Sequence, residues 1–153
     1  MCGCVNPFAP KLDKDLNPDG TLISDQKTVE GVFENLQISY TFADTTIYGA
    51  LLSPDFTFSF IDYNLGGVSV TWGREEEMRA TYGLFKNAQR LDLIWNNIIA
   101  VNSDSTNIIR SFNLTVTFNP TSIDFAEGKV NLTLRKNEDE KWQITRWVDE
   151  SNF

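Results

Sequence analysis

TVEGVFENLQISYTFADTTIYGALLSPDFTFSFI, residues Thr28 to Ile61, is the stretch around which the chain is built. Val29, Val32, Phe33, Leu36 and Tyr40 recur at the spacing of one face of an amphipathic helix. Thr28 stands at the N-cap place, and Glu30 puts a negative charge in the first turn, where the helix dipole favours it. Asp44 is placed to cap a second helix with a stripe of Ile47, Tyr48, Leu51 and Leu52. Ser53-Pro54 is expected to end that helix, because proline cannot continue the hydrogen-bond ladder and disfavours helical geometry in the residue before it. From Asp55 the period changes to two: Phe56, Phe58 and Phe60 alternate with Thr57, Ser59 and Ile61, which predicts a strand with three rings on one face.

Downstream, Asp62 to Thr71 reads as a Gly-containing connection, with or without a short extra strand. A third helix is expected from about Gly73 to Lys86, its inward stripe Met78, Thr81, Tyr82 and Phe85. Glu75, Glu76 and Glu77 crowd its first turn and read as a solvated, dipole-favoured helix start. Four strand-like segments close the chain: Arg90 to Val101, Ile108 to Phe118, Lys129 to Arg135 and Trp142 to Val148, with Trp147 out of step in the last. Their alternation indicates an antiparallel sheet with one covered face. The fold class is therefore α+β: three N-terminal helices on the concave face of a strongly curved antiparallel sheet. Helices on such a face leave space for a pocket.

The chain has 153 residues, enough for one domain with a real core. The domain is expected to run from 26 to 153, after a tether over 1–25 that is rich in Pro, Asn and Asp. A formal charge of -8 argues against nucleic acid or an anionic membrane surface as the main partner. No apolar run approaches the roughly 20 residues of a transmembrane helix. The absence of histidine excludes a Ser-His-Asp triad, a Cys-His dyad and the common zinc hydrolase sites. Acid–base chemistry would fall to a carboxylate, a tyrosine or a lysine of shifted pKa.

Both cysteines stand in the first four residues, MCGC. Gly3-Cys4 resembles the end of a bacterial lipobox, which would make Cys4 a lipid attachment site. That reading expects an apolar signal segment before Met1. It competes with a plain disordered N-terminus. The implied location is the cell envelope or extracellular face, with membrane contact only through the anchor. Asp15-x-Asn17-x-Asp19-Gly20, with Gln26 at the twelfth place, resembles a calcium loop, but Gln26 cannot supply the bidentate carboxylate and a solvated turn is the better reading. No metal or cofactor is expected.

The segments VFENLQISYTFADTTIYGALLSPDFTF and WGREEEMRATYGLF and the closing WQITRW together resemble the nuclear transport factor 2-like superfamily, the cystatin-like cone fold, over about residues 28 to 149. Within it the chain resembles secreted bacterial lipoproteins of unassigned role. The resemblance implies that the steroid isomerases' oxyanion-hole tyrosine and catalytic aspartate fall on Leu36 and Phe60, neither of which donates or accepts a proton. A non-catalytic domain binding a small apolar molecule or a partner protein is the leading expectation. An isomerase, cyclase or dehydratase using another carboxylate or tyrosine is the alternative. A homodimer through the outer sheet face, near Ser111, Asn113, Thr115, Lys129, Asn131 and Thr133, is the third. Candidate pocket residues are Leu36, Tyr40, Phe58, Phe60, Tyr82, Trp95, Arg110 and Phe112. Arg110 shares strand parity with Phe112 and either faces the pocket and takes an anion or has emerged into solvent, the second being the commoner fate of a charge. The cavity discriminates: an enclosed pocket holding a raised-pKa carboxylate favours the enzyme, a pocket packed solid by Phe58, Phe60 and Trp95 favours the interaction module, and a dry apolar cavity favours ligand binding.

Overall fold

The computed structural model describes residues 23–150; Cys4, the tether before Ile23 and most of the calcium-loop-like run lie outside the described residues. Helix α1 (Val29–Thr41) and helix α2 (Thr45–Ala50) open the fold. The Thr28 hydroxyl accepts from Gly31 N at 3.0 Å, and the Asp44 carboxylate accepts from Thr46 N and Ile47 N at 2.9 and 3.1 Å. Both caps stand where the sequence puts them, satisfying amides that have no partner inside the helix. Strand β1 (Leu52–Asp62), a 3-10 turn (Tyr63–Leu65), strand β2 (Val68–Gly73) and helix α3 (Arg74–Asn87) follow. Strands β3 (Arg90–Val101), β4 (Asn107–Asn119), β5 (Ser122–Lys136) and β6 (Trp142–Asp149) complete a six-stranded sheet of order β2-β1-β6-β5-β4-β3. Among the described residues only the β1–β6 pairing is parallel. The three helices and the curved sheet make the α+β cone arrangement.

Three elements differ from their sequence expectation. Helix α2 stops at Ala50, and Leu52 already belongs to β1, paired with Ile144. Ile144 N donates to Leu51 O at 2.7 Å, so the ladder captures the chain before Ser53-Pro54 can terminate a helix. Pro54 lies where the β1–β6 register breaks, between Leu52 and Thr57, so its missing N–H costs no bond there. Strand β5 begins at Ser122, seven residues before Lys129, because Ile123 to Gly128 pair with β4 although their side chains do not alternate. In β6, Arg146 pairs with Thr133 but Ile144 with Leu134, which leaves Thr145 as an extra residue. That bulge reverses the parity and returns Trp147 to the same buried face as Ile144.

The core is the inner face of the sheet against α1 and α2: Val32, Phe33 and Leu36 meet Leu132, Leu134 and Ile144, all nearly or fully buried. Gln26 ties the chain before α1 to this body. Its side-chain amide donates to Trp142 O at 2.9 Å and Ala50 O at 3.2 Å, and its carbonyl accepts from Trp142 N at 2.8 Å. Its φ of 63° lies in the left-handed region, a strain held in place by those three bonds. Gln26 therefore serves as a buried bridge, with its side chain turned away from any solvated turn. The outer face carries Asn113, Thr115 and Lys129 with exposed Ile94, Ile123 and Phe125.

Candidate ligand cavity

Helix α3 sets the site. Its buried residues are Glu77, Thr81 and Phe85, with Met78 and Leu84 half-buried. The helix is therefore rotated from the expected stripe, and Tyr82 lies 56% exposed with the Lys86 ammonium 5.9 Å from its ring centre. The rotation splits the three glutamates. Glu75 and Glu76 are solvated, as the dipole argument expects, but Glu77 is turned inward and is 6% exposed.

Glu77 is held by three neutral donors. Its Oε1 accepts from Trp72 Nε1 at 2.8 Å, and its Oε2 accepts from the Tyr48 hydroxyl at 2.5 Å and the Thr81 hydroxyl at 3.2 Å. Three elements thus converge on one carboxylate: α2, β2 and α3. Burial raises the Glu77 pKa above the ordinary glutamate value of 4.5, the three hydrogen bonds pull against that rise, and the charge of Asp149 adds to it. Burial also pushes the Tyr48 and Tyr40 hydroxyls well above the ordinary 10.0, with Glu77 repelling the phenolate form of each. Both tyrosines are neutral hydroxyls at physiological pH.

Glu77 lies in the wall of a cavity of about 280 Å³ between the helices and the sheet. Tyr40 and Tyr48 come from the first two helices, Ala80, Thr81 and Leu84 from α3. Phe58, Phe60 and Trp72 line it from β1 and β2, Leu93 and Trp95 from the edge strand β3, and Phe112, Leu114 and Val130 from β4 and β5. Trp147 and Asp149 of β6 complete it. Phe58 stacks on Trp72 with ring centres 5.4 Å apart and planes 17° apart, and Phe60 meets the same indole at 5.3 Å edge to face. The Trp147 indole N–H is buried without a hydrogen-bond partner among the described residues. A wider depression of about 580 Å³ meets this cavity at Phe60 and Asp149, but none of its lining residues is buried.

Of the residues read from the sequence, the structure gathers Tyr40, Phe58, Phe60, Trp95 and Phe112 around this space. Three candidates lie elsewhere. Leu36 is fully buried in the core and lines no part of the cavity; the residue of α1 that does is Tyr40, one turn on. Tyr82 is on the solvent side of the rotated α3. Arg110 is on the inner face, as its parity requires, yet neither in the cavity nor in solvent. Its guanidinium lies 4.8 Å from the Phe33 ring centre and 5.8 Å from that of Trp95. It donates to Asn96 O at 2.8 Å and to Glu30 at 3.3 Å, with its side chain 14% exposed. Helix α1 covers it and spends its charge on structure.

Hydrocarbon at Leu36 and Phe60 does not leave the cavity without ionisable groups. Leu36 and Phe60 are apolar, but Tyr40, Tyr48, Glu77 and Asp149 bring four ionisable groups to the cavity from other positions. Glu77 was legible only on a helical wheel turned by one residue, where Glu77, Thr81, Leu84 and Ala88 fall on one face. Among the described residues no group of three metal-ligating side chains converges.

No family model matches the chain, and no curated protein does. Solved structures of the same fold do. One, from Novosphingobium aromaticivorans and provisionally named a scytalone dehydratase, has 14% identity and a TM-score of 0.68, covering 82% of each chain. A protein of ketosteroid isomerase-like fold from Catenulispora acidiphila, solved in complex with trimethylamine, has 12% identity and a TM-score of 0.59, covering 82% of this chain and 87% of its own. A nuclear transport factor 2-like protein of unknown function from an Exiguobacterium species has 12% identity and a TM-score of 0.56, covering 79% and 98%. At these identities the likeness is one of fold: the chain has the nuclear transport factor 2-like cone fold.

Proposed function

We propose that this chain is a small-molecule-binding domain whose occupant sits between the helices and the sheet with a polar group against Glu77. The observation that carries the reading is a buried carboxylate, Glu77, in a cavity walled mostly by aromatic rings and aliphatic side chains, with the half-buried Asp149 also in its lining. Apolar pockets with a few convergent polar groups are the usual form of a ligand site, and about 280 Å³ is at the small end of their range. The fold neighbour that holds trimethylamine supports a compact occupant for a cavity of this kind.

Tryptophan fluorescence tests the reading, because Trp72, Trp95 and Trp147 line the cavity while Trp142 does not. Titration with neutral, anionic and cationic fragments of up to about ten non-hydrogen atoms should give saturable quenching with at least one of them, at one site per chain. Ala80→Phe, which puts a ring at an exposed position of α3 that borders the cavity, should weaken that binding by at least about tenfold, the order expected for a blocked apolar contact. If no fragment saturates, or if Ala80→Phe binds as the unaltered chain does, the cavity is not a ligand site.

A second reading has its own observation. A buried carboxylate of raised pKa beside two neutral tyrosine hydroxyls is the equipment of a proton-transfer enzyme. In that reading Glu77 takes a proton from the carbon next to a carbonyl, and a hydroxyl donates to the oxygen. Both Glu77 oxygens are already engaged by three protein donors, which is why binding comes first. Deuterium uptake next to the carbonyl of cyclohexanone, followed by NMR in heavy water, should then be faster with the unaltered chain than with Glu77→Gln. Equal rates remove this reading.

A further inference from the structure

Glu77 is a buried charge whose hydrogen-bond partners are all neutral. Trp72, Tyr48 and Thr81 donate to it, and no lysine or arginine stands among the residues that line the cavity. Buried charges in proteins are ordinarily matched by an opposite charge or by a metal. Among the described residues, three arginines are committed elsewhere. Arg110 lies under α1 with Glu30, Arg74 donates to Gly49 O at 2.8 Å, and Arg135 pairs with Asp55. Among the described residues that line the cavity, none supplies a positive partner for Glu77.

The walls say what kind of cation would fit. A hard metal ion wants six or more oxygen ligands, and rings cannot supply them. A large, weakly hydrated organic cation suits the opposite environment, since it gains from the negative face of each ring and loses little on leaving water. Phe58, Phe60, Trp72 and Trp95 surround the space with such rings, and Trp is the strongest partner of this type. An anionic ligand would meet Glu77 as a like charge. We infer that the occupant of the cavity is an organic ammonium ion, its charge set against Glu77 and its alkyl groups against the aromatic walls. This inference rests on the reading of the cavity as a ligand site and names the class of ligand.

Calorimetry with choline, tetramethylammonium and 3,3-dimethylbutan-1-ol decides it, the last being choline with carbon in place of the charged nitrogen. Choline or tetramethylammonium should bind at least about tenfold more tightly than the neutral alcohol, the order expected of an ion pair joined to ring contacts away from water. Glu77→Gln keeps the side chain's shape and should erase that preference while circular dichroism shows an unchanged fold. If the neutral alcohol binds as well as the cations, or if the preference survives in Glu77→Gln, the ammonium class is wrong while the cavity remains a ligand site. If neither cation nor alcohol binds, the ammonium inference is overturned, and saturable binding of another fragment would still leave the ligand-site reading standing.

Discussion

Glu77→Ala is expected to destabilise the folded chain by about 2 to 4 kcal/mol, whereas Glu77→Gln should cost less than about 1 kcal/mol. The alanine strands three donors at once: the Tyr48 hydroxyl, the Trp72 indole N–H and the Thr81 hydroxyl all lose their acceptor. Each orphaned donor costs on the order of 1–3 kcal/mol, and the release of a buried charge returns part of the sum. Glutamine avoids the problem because hydroxyls can rotate. Its carbonyl takes the Trp72 N–H, and its amide donates to Tyr48 and Thr81, which then act as acceptors. Urea denaturation of the three proteins at neutral pH measures both differences. Equal midpoints for the alanine and glutamine variants would show that Glu77 does not hold α3 to α2 and β2.

The same pair of proteins reads the pH dependence. Glu77 has a raised pKa in the folded chain, so the folded state holds the proton more tightly than the unfolded state, whose glutamate titrates near 4.5. The stabilisation from the protonated form is then complete below about pH 4.5 and is lost as pH rises through the folded value, after which it levels. The groups that bear on Glu77 are Tyr48 on α2, Trp72 on β2, Thr81 on α3 and the Asp149 charge on β6. Asp55 works in the other direction. Its pKa is lowered to about 2 from 3.8 by hydrogen bonds from Arg135 and Ser53, so its contribution is lost only as pH falls below 3.8. The stability of the unaltered chain relative to Glu77→Gln should therefore decline from pH 4.5 upward. A difference that stays flat or rises over that range would overturn the sign.

What could be read from the sequence were the local events. Thr28 and Asp44 announce helix starts because a cap is a bond within three residues, and the alternation in β4 survives because one face is covered along its whole length. Long-range pairing decided the rest. Leu52 looked helical until Ile144 drew it into the sheet, and Trp147 looked misplaced until the Thr145 bulge restored its parity. Strand β5 reaches back to Ser122 on residues such as Asp124 and Phe125 that carry no alternating pattern, since only the β4 ladder holds them. Glu77 was the costliest to miss. A glutamate in a first turn has a sufficient local reason to be there, and the two residues before it obey that reason. Its burial depends on Tyr48, 29 positions earlier, and on Trp72 from β2, neither of which the helix itself can show.

Phe33→Ala should cost about 3–5 kcal/mol, the range for emptying a fully buried phenylalanine site. Against a typical domain stability of roughly 5–15 kcal/mol, that is a large share of the whole. Phe33 is 0% exposed, and its ring meets Trp95 edge to face at 4.9 Å while the Arg110 guanidinium lies 4.8 Å from its centre. Its backbone carbonyl accepts the Trp95 indole N–H at 2.9 Å, a bond the substitution leaves in place. Trp95 is also a wall of the cavity, so the loss reaches the site. With the Phe33 ring gone, Trp95 keeps its hydrogen bond but can tilt into the vacated space, and the fragment affinity measured by tryptophan quenching should fall together with stability. Phe125→Ala is the matched control: that ring is 76% exposed on the outer face, and its removal should change stability by less than about 0.5 kcal/mol and leave binding untouched. Phe33→Leu refills most of the volume and should recover a large part of both losses. Should Phe33→Ala lose stability while the cavity binds its ligand with unchanged affinity, Trp95 is held by its hydrogen bond alone and the core and the site are independent of each other.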